Sequence, residues 1–153
     1  VLGIDIDIRT HNYEAINLHP MSNRIKMIEG SSVSNDIISK VKKAAAPFKN
    51  IMVFLDSNHT HDHVLKELEA YAELTSIGSY CIVFDTVIED IDDKYNLNKP
   101  WQIGDNPKTA VHEFLKKSKA KDTNNVEKFQ IDKTIHDKLL ITVAPDGFLR
   151  RVR

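Results

Sequence analysis

Two apolar runs, Ile51 to Leu55 and Tyr80 to Phe84, each end in an aspartate, with an amphipathic stretch between them. The first continues as Asp56-Ser57-Asn58-His59-Thr60-His61-Asp62-His63, the second as Asp85-Thr86-Val87-Ile88-Glu89-Asp90. Nearly continuous apolar runs of this length predict strands covered on both faces. A helix of about four turns fits between them. Strand, helix, strand in that order predicts a parallel pair in an α/β sheet with helices on both faces. Parallel strands would set Asp56 and Asp85 at the carboxyl edge, where open α/β sheets hold their ligands.

The 153 residues suit one domain, 1–153, large enough to bury a core. With 21 Lys and Arg against 22 Asp and Glu, the net charge of -1 gives no global field toward nucleic acid or a membrane surface. No apolar run approaches the roughly 20 residues of a membrane span. The single Cys81 lies in an apolar run, which argues against a disulfide framework or a cysteine metal cluster and makes a reducing, cytoplasmic setting the default. The sequence opens at Val1 already inside a strand pattern and without an initiator Met, as expected of a portion of a longer chain.

In chain order, Val1 to Ile6 reads as a strand whose apolar residues stop at Asp5 and Asp7. An acidic strand end of this kind commonly accepts hydrogen bonds from a ribose diol, and is equally a solvated end. Thr10 to Leu18 suits a helix capped by Thr10 or Asn12, with Tyr13, Ala15 and Ile16 inward, closed by His19-Pro20. Arg24 to Ile28 alternates as a half-buried strand and ends in Glu29-Gly30-Ser31-Ser32, where the hydroxyls suit either an adenine contact or a helix cap. Ser34 to Ala46 is the next helix, with Ile37, Ile38, Val41 and Ala45 inward. From Thr60, the stripe Val64, Leu65, Leu68, Tyr71, Ala72 and Leu74 faces inward and Lys66, Glu67, Glu69 and Glu73 outward, with Gly78 as the stop. Asp92 to Pro107, around Trp101, lacks periodicity and reads as a long loop of the kind that serves as a lid. A helix follows to Lys117, with Ala110, Val111, Phe114 and Leu115 inward, then a charged, solvated stretch from Lys116 to Asp122. Phe129 to Ile131 and Leu139 to Val143 read as strands, and Phe148 to Arg153 as a basic tail or short strand.

Asp56 and Asp85 on adjacent strand ends suit a hard divalent cation such as Mg²⁺, which takes one or two carboxylates and keeps several waters. A general acid/base pair and two solvated strand ends are the alternatives. His59, His61 and His63 would share one face of an extended segment and so suggest zinc. The segment leads into a helix, where positions two apart diverge, which disfavours zinc. His59, three residues past Asp56, is better placed as a base at the metal's edge.

The segments VLGIDIDIR, EGSS, VFLDSNHTHDHVLKELEAY, GSYCIVFDTVIED, DNPKTAV and IDKTIHDKLLITVAPDGFL together resemble the cephalosporin hydroxylase and rhamnosyl O-methyltransferase family. They span nearly the whole chain. The family is a branch of the S-adenosylmethionine-dependent methyltransferases, with a Rossmann-like seven-stranded sheet, and is similar to metal-dependent catechol-type O-methyltransferases. The resemblance implies that Asp5, and less directly Asp7, binds the cofactor's ribose, and that Ser31 or Ser32 lies beside its adenine. It implies that Asp56 and Asp85 ligate Mg²⁺ and that His59 helps deprotonate an acceptor hydroxyl. Trp101 and Asn106, in the loop, would touch the acceptor, a sugar, phenol or antibiotic-like small molecule.

Two departures stand out. Thr86 follows Asp85 where catechol-type enzymes usually carry an Asn ligand, so Glu89 or Asp90 is the expected substitute. The first strand and glycine-rich loop of such enzymes are expected upstream of Val1, the strand taking its place in the sheet between those ending at Asp5 and Asp56, and these 153 residues hold neither. Strand edges left by that gap would pair with upstream chain or within a homo-oligomer. The rivals to an O-methyltransferase are a binding module that has lost cofactor affinity, a related hydroxylase, and another nucleotide-dependent α/β enzyme such as a nicotinamide oxidoreductase.

Overall fold

The computed structural model describes residues 1–95, 98–121 and 127–153, and they form two compact units, Val1–Pro47 and Phe48–Arg153. In the first, strand β1 (Leu2–Asp5) leads through helix α1 (Thr10–Leu18) to a parallel partner, β2 (Lys26–Glu29), and then to helix α2 (Asn35–Ala45). The register pairs Asp5 with Glu29, so both strands end together on acidic residues. Helix α2 follows its sequence pattern, burying Ile37 and Val41. Helix α1 does not. It buries no residue, Tyr13 and Ala15 lie exposed, and its N-cap is Arg9 with no side-chain cap bond. Of its apolar residues Tyr13, Ala15, Ile16 and Leu18, only Ile16 is even half-buried, so they make no stripe that anchors the helix.

The second unit holds a four-stranded sheet in the order β3 (Val53–Leu55), β4 (Tyr80–Val83), β6 (Phe148–Arg151), β5 (Phe129–Ile131). Strands β3 and β4 are parallel, while β6 runs antiparallel to both its neighbours. Helix α3 (His61–Tyr71) connects β3 to β4 and runs on into a 3₁₀ turn, Ala72–Leu74. Helix α4 (Pro107–Lys121) precedes β5, and a short helix α5 (Lys133–Leu139) precedes β6. The architecture is mixed α/β. Alternation places Leu55, Cys81, Val83, Leu149 and Phe129 in the core with Val64, Leu65 and Leu68 of α3 and Ala110, Val111 and Phe114 of α4. The Phe114 and Phe129 rings meet at 5.8 Å.

Four expectations are corrected. β3 is not covered on both faces: Leu55 is buried, but Phe54 on the opposite side is 58% exposed. A short apolar run reports a strand without reporting which face is packed. Leu139 to Val143 is not a strand: Asp132 accepts a hydrogen bond from the Thr134 amide as an N-cap, helix α5 starts there, and Ile141 beyond it is 91% exposed. The charged stretch from Lys116 continues α4 to Lys121. Glu67, expected outside, is 2% exposed.

Of the two expectations for Phe148 to Arg153, the short strand holds: Phe148–Arg151 is β6, an inner strand of the sheet. Its Arg151 guanidinium donates to the carbonyls of Glu73 and Thr75 at 2.7 and 2.6 Å, tying the strand to the end of the α3 segment. The turn before it fits tightly: Gly147 accepts from the Val83 amide at 2.9 Å, and a Cβ on Gly147 would strike the Val83 carbonyl. No helix among the described residues is long and apolar enough to cross a membrane.

Candidate functional site

The parallel pairing of β3 and β4 brings two strand ends side by side. The register matches Leu55 with Val83, and the Phe84 amide donates to the Leu55 carbonyl at 3.0 Å, so Asp56 and Asp85 leave the sheet as neighbours. Asp85 adopts the left-handed conformation, φ 53°, ψ 24°, which aspartate tolerates better than most residues at a cost of about 1 to 2 kcal/mol. The chain then turns into a 3₁₀ segment, Thr86–Asp90. Thr86 is buried and donates to the Pro145 carbonyl at 2.6 Å, so it faces away from the strand ends.

After Asp56 the chain makes a compact turn into α3. Asn58 Oδ1 accepts from the Thr60 amide and hydroxyl at 2.9 and 2.8 Å, and the turn delivers the His59 ring between the two aspartates. His59 Nε2 lies 3.2 Å from Asp85 Oδ2 and 3.6 Å from Asp56 Oδ1. One ligand atom from each of the three residues falls within 4.8 Å of the others. Cis ligands on bonds of about 2.1 Å stand about 3.0 Å apart, close to the shorter of these separations. Nε2 is buried, and although both carboxylates are near, it makes no aligned hydrogen bond to either. Two carboxylate oxygens this close, with an imidazole nitrogen beside them, suit a divalent cation held by Asp56 and Asp85, so the residues fit a metal. The His59 side chain is only 16% exposed and its ring meets Trp101 at 4.7 Å, tilted by 58°, while the Asp56 side chain is 60% exposed. The group is therefore walled on the Trp101 side and open at Asp56.

The other anticipated ligands are engaged elsewhere. Glu89 accepts from the Gly104 amide at 2.8 Å and from the Asn106 side-chain amide, and Lys108 holds Asp90 at 2.7 Å. Neither joins the group. Asn106, expected at the acceptor, is fully buried and caps α4: its Oδ1 accepts from the Lys108 and Thr109 amides and its Nδ2 donates to Gln102 and Glu89. A side chain bonded at both ends has nothing left for a substrate. The loop is strapped down, with the Ile103 amide on Asp93 and the His61 amide on Asp105. The three histidines diverge, as expected of a helix start. His61 bridges Thr109 and Glu113 at 2.8 and 3.1 Å, and His63 lies 3.4 Å from Glu67. The Lys117 ammonium bonded to Glu113, with smaller help from His61, holds that carboxyl below its ordinary range.

In the first unit, Asp5 closes β1 with an exposed carboxylate whose Oδ1 accepts from the Asp7 amide at 3.1 Å. Asp7 is exposed, with Arg9 at 3.9 Å. Glu29 accepts from the Ile8 amide at 3.1 Å, which braces the loop after β1 against the end of β2. Ser31 and Ser32 are half-buried, and the Ser31 carbonyl accepts from the amide and hydroxyl of Ser34 at the start of α2.

The sequence profile of the rhamnosyl O-methyltransferase/CmcI family matches residues 1–152. The chain belongs to that family. No curated protein matches the sequence significantly. Among solved structures, the MycE methyltransferase of the mycinamycin biosynthetic pathway, in complex with Mg and SAH, is similar at 16% identity and a TM-score of 0.48. The match covers 82% of this chain, which spans 30% of the length of that enzyme.

Two residues of this CmcI-family chain escaped the sequence reading. The charge of Glu67 predicts an outward side chain, and Asp105, which accepts from the His61 amide at 2.7 Å, stands in an aperiodic stretch. For Glu67 the available signal was the pair His63 and Glu67, four apart on one helix face.

Proposed function

We propose that the chain is the metal-binding portion of an S-adenosylmethionine-dependent, Mg²⁺-assisted O-methyltransferase acting on a hydroxyl of a sugar or other small molecule. The observation that carries this is the convergence of Asp56, His59 and Asp85 at adjacent strand ends in a member of the rhamnosyl O-methyltransferase/CmcI family. Asp56 and Asp85 would hold the cation, which lowers the pKa of an acceptor hydroxyl and orients it. The cofactor supplies the methyl group; Asp5 would bind its ribose hydroxyls, with Asp7 next to it, and Ser31 or Ser32 its adenine.

His59 Nε2, free of the cation, would take the proton of the acceptor hydroxyl, and the methyl group that the oxygen gains would come from the cofactor's sulfonium. The Trp101 ring against His59 fixes the imidazole and excludes water from one side of it. The exposed edge at Asp56 is where a small-molecule acceptor enters, in a cytoplasmic setting. In the full-length enzyme, Asp56→Ala should abolish metal-dependent methyl transfer with the fold intact by circular dichroism. Undiminished activity in that variant would sink the assignment.

A further inference from the structure

Glu67 lies on the inward face of α3 and is buried, an unusual place for a carboxylate. Its Oε1 accepts from the Ser57 hydroxyl at 2.8 Å and lies 3.4 Å from His63 Nε2, while Oε2 is buried without a hydrogen bond. Burial, reinforced by the Glu67 charge, pushes the Tyr71 phenol and the Cys81 thiol each up to about 12. A half-satisfied buried carboxylate is costly, and an apolar side chain of similar volume there would be neutral or stabilising. Core stability therefore does not account for Glu67.

What Glu67 does is hold one hydroxyl, that of the residue next to Asp56. The turn from Asp56 to Thr60 carries both Asp56 and His59. Its far end is fixed by Asn58 on Thr60 and by Asp105 on the His61 amide. Ser57 is the near end, and Glu67 is its side-chain anchor.

We propose that Glu67 is a positioning residue for this turn: by holding Ser57 it fixes the direction from which the Asp56 carboxylate meets His59 and Asp85. The proposal rests on reading Asp56 and Asp85, with His59 beside them, as a divalent-cation site. Glu67 makes no hydrogen bond or ion pair with any of the three, so Ser57 carries its effect.

The test is Mn²⁺ binding to the whole chain, followed by the loss of the free-ion paramagnetic resonance signal, beside thermal unfolding. Residues that orient ligands typically contribute 10- to 100-fold in metal affinity, so Glu67→Leu and Ser57→Ala should each weaken Mn²⁺ binding by about tenfold without lowering the unfolding temperature. Glu67→Gln keeps an oxygen for the Ser57 hydroxyl and should bind Mn²⁺ nearly as the parent does. If Glu67→Leu does not fold, Ser57→Ala decides, since its side chain lies outside the core. Parent-like Mn²⁺ affinity in Ser57→Ala and Glu67→Leu, with binding lost in Asp56→Ala, overturns the role of Glu67 and leaves the metal site standing. Parent-like affinity in Asp56→Ala overturns both.

Discussion

The turn after β3 and the strand end after β1 both carry an aspartate just where a strand stops, yet they are built differently. Asp56 belongs to a turn pinned by Glu67, Asn58 and Asp105, with the His59 ring wedged against Trp101. Asp5 has an exposed carboxylate steadied by the Asp7 amide two residues on. The difference follows from what each would bind. A cation needs several donors brought to one point, and only surrounding structure can hold like charges there. A diol needs a single carboxylate with two accessible oxygens, which a bare strand end provides.

The largest effect should come from the crowded end. Asp85→Asn keeps a residue at ease in the left-handed conformation and removes the charge, so millimolar Mn²⁺ should no longer saturate the protein while the unfolding temperature holds. Asp5→Ala breaks the other side of the comparison. Losing hydrogen bonds to a charged group, worth about 1.5 to 3 kcal/mol, should weaken S-adenosylmethionine binding about 10- to 100-fold in calorimetry and leave Mn²⁺ binding unchanged. Equal losses of both ligands in either variant would show the two ends are not independent. Asn106→Ala should cost about 2 kcal/mol in denaturant unfolding, because it uncaps α4 and takes one of two donors from Glu89.

A pH dependence lies behind the crowded turn. Tyr71 and Cys81, ordinarily near 10.0 and 9.0, are raised to about 12 in the fold. Above pH 9 the unfolded chain loses these protons first, so stability should be intact below that pH and fall as pH rises toward 12. Tyr71→Phe should make the fall in unfolding temperature between pH 10 and 12 shallower.

What was legible in the sequence is what local periodicity and strand ends determine. The runs ending at Asp56 and Asp85, helices α2 and α3, and the nearness of His59 to both carboxylates all follow from spacing along a few turns of chain. Partners distant in sequence were not legible. Glu67 looked solvated because the hydroxyl it holds belongs to a serine ten residues back, across the turn. Asn106 looked free because its bonds to Glu89 and Gln102 form only when the loop folds back. Leu139 to Val143 had the composition of a strand, but Asp132 started a helix ahead of it. Phe148 to Arg151 had too little apolar character to announce a central strand, and Arg151 serves by reaching carbonyls more than seventy residues earlier.

The placement of β6 also bears on the order of assembly. It lies between β4 and β5, so it comes later in the chain than both strands it joins. Until it arrives, β4 and β5 have no ladder between them, and the loop closures involved are long and entropically slow. The half of the sheet beyond β4 therefore forms in one late step, and during synthesis the edge of β4 waits exposed for a strand not yet made.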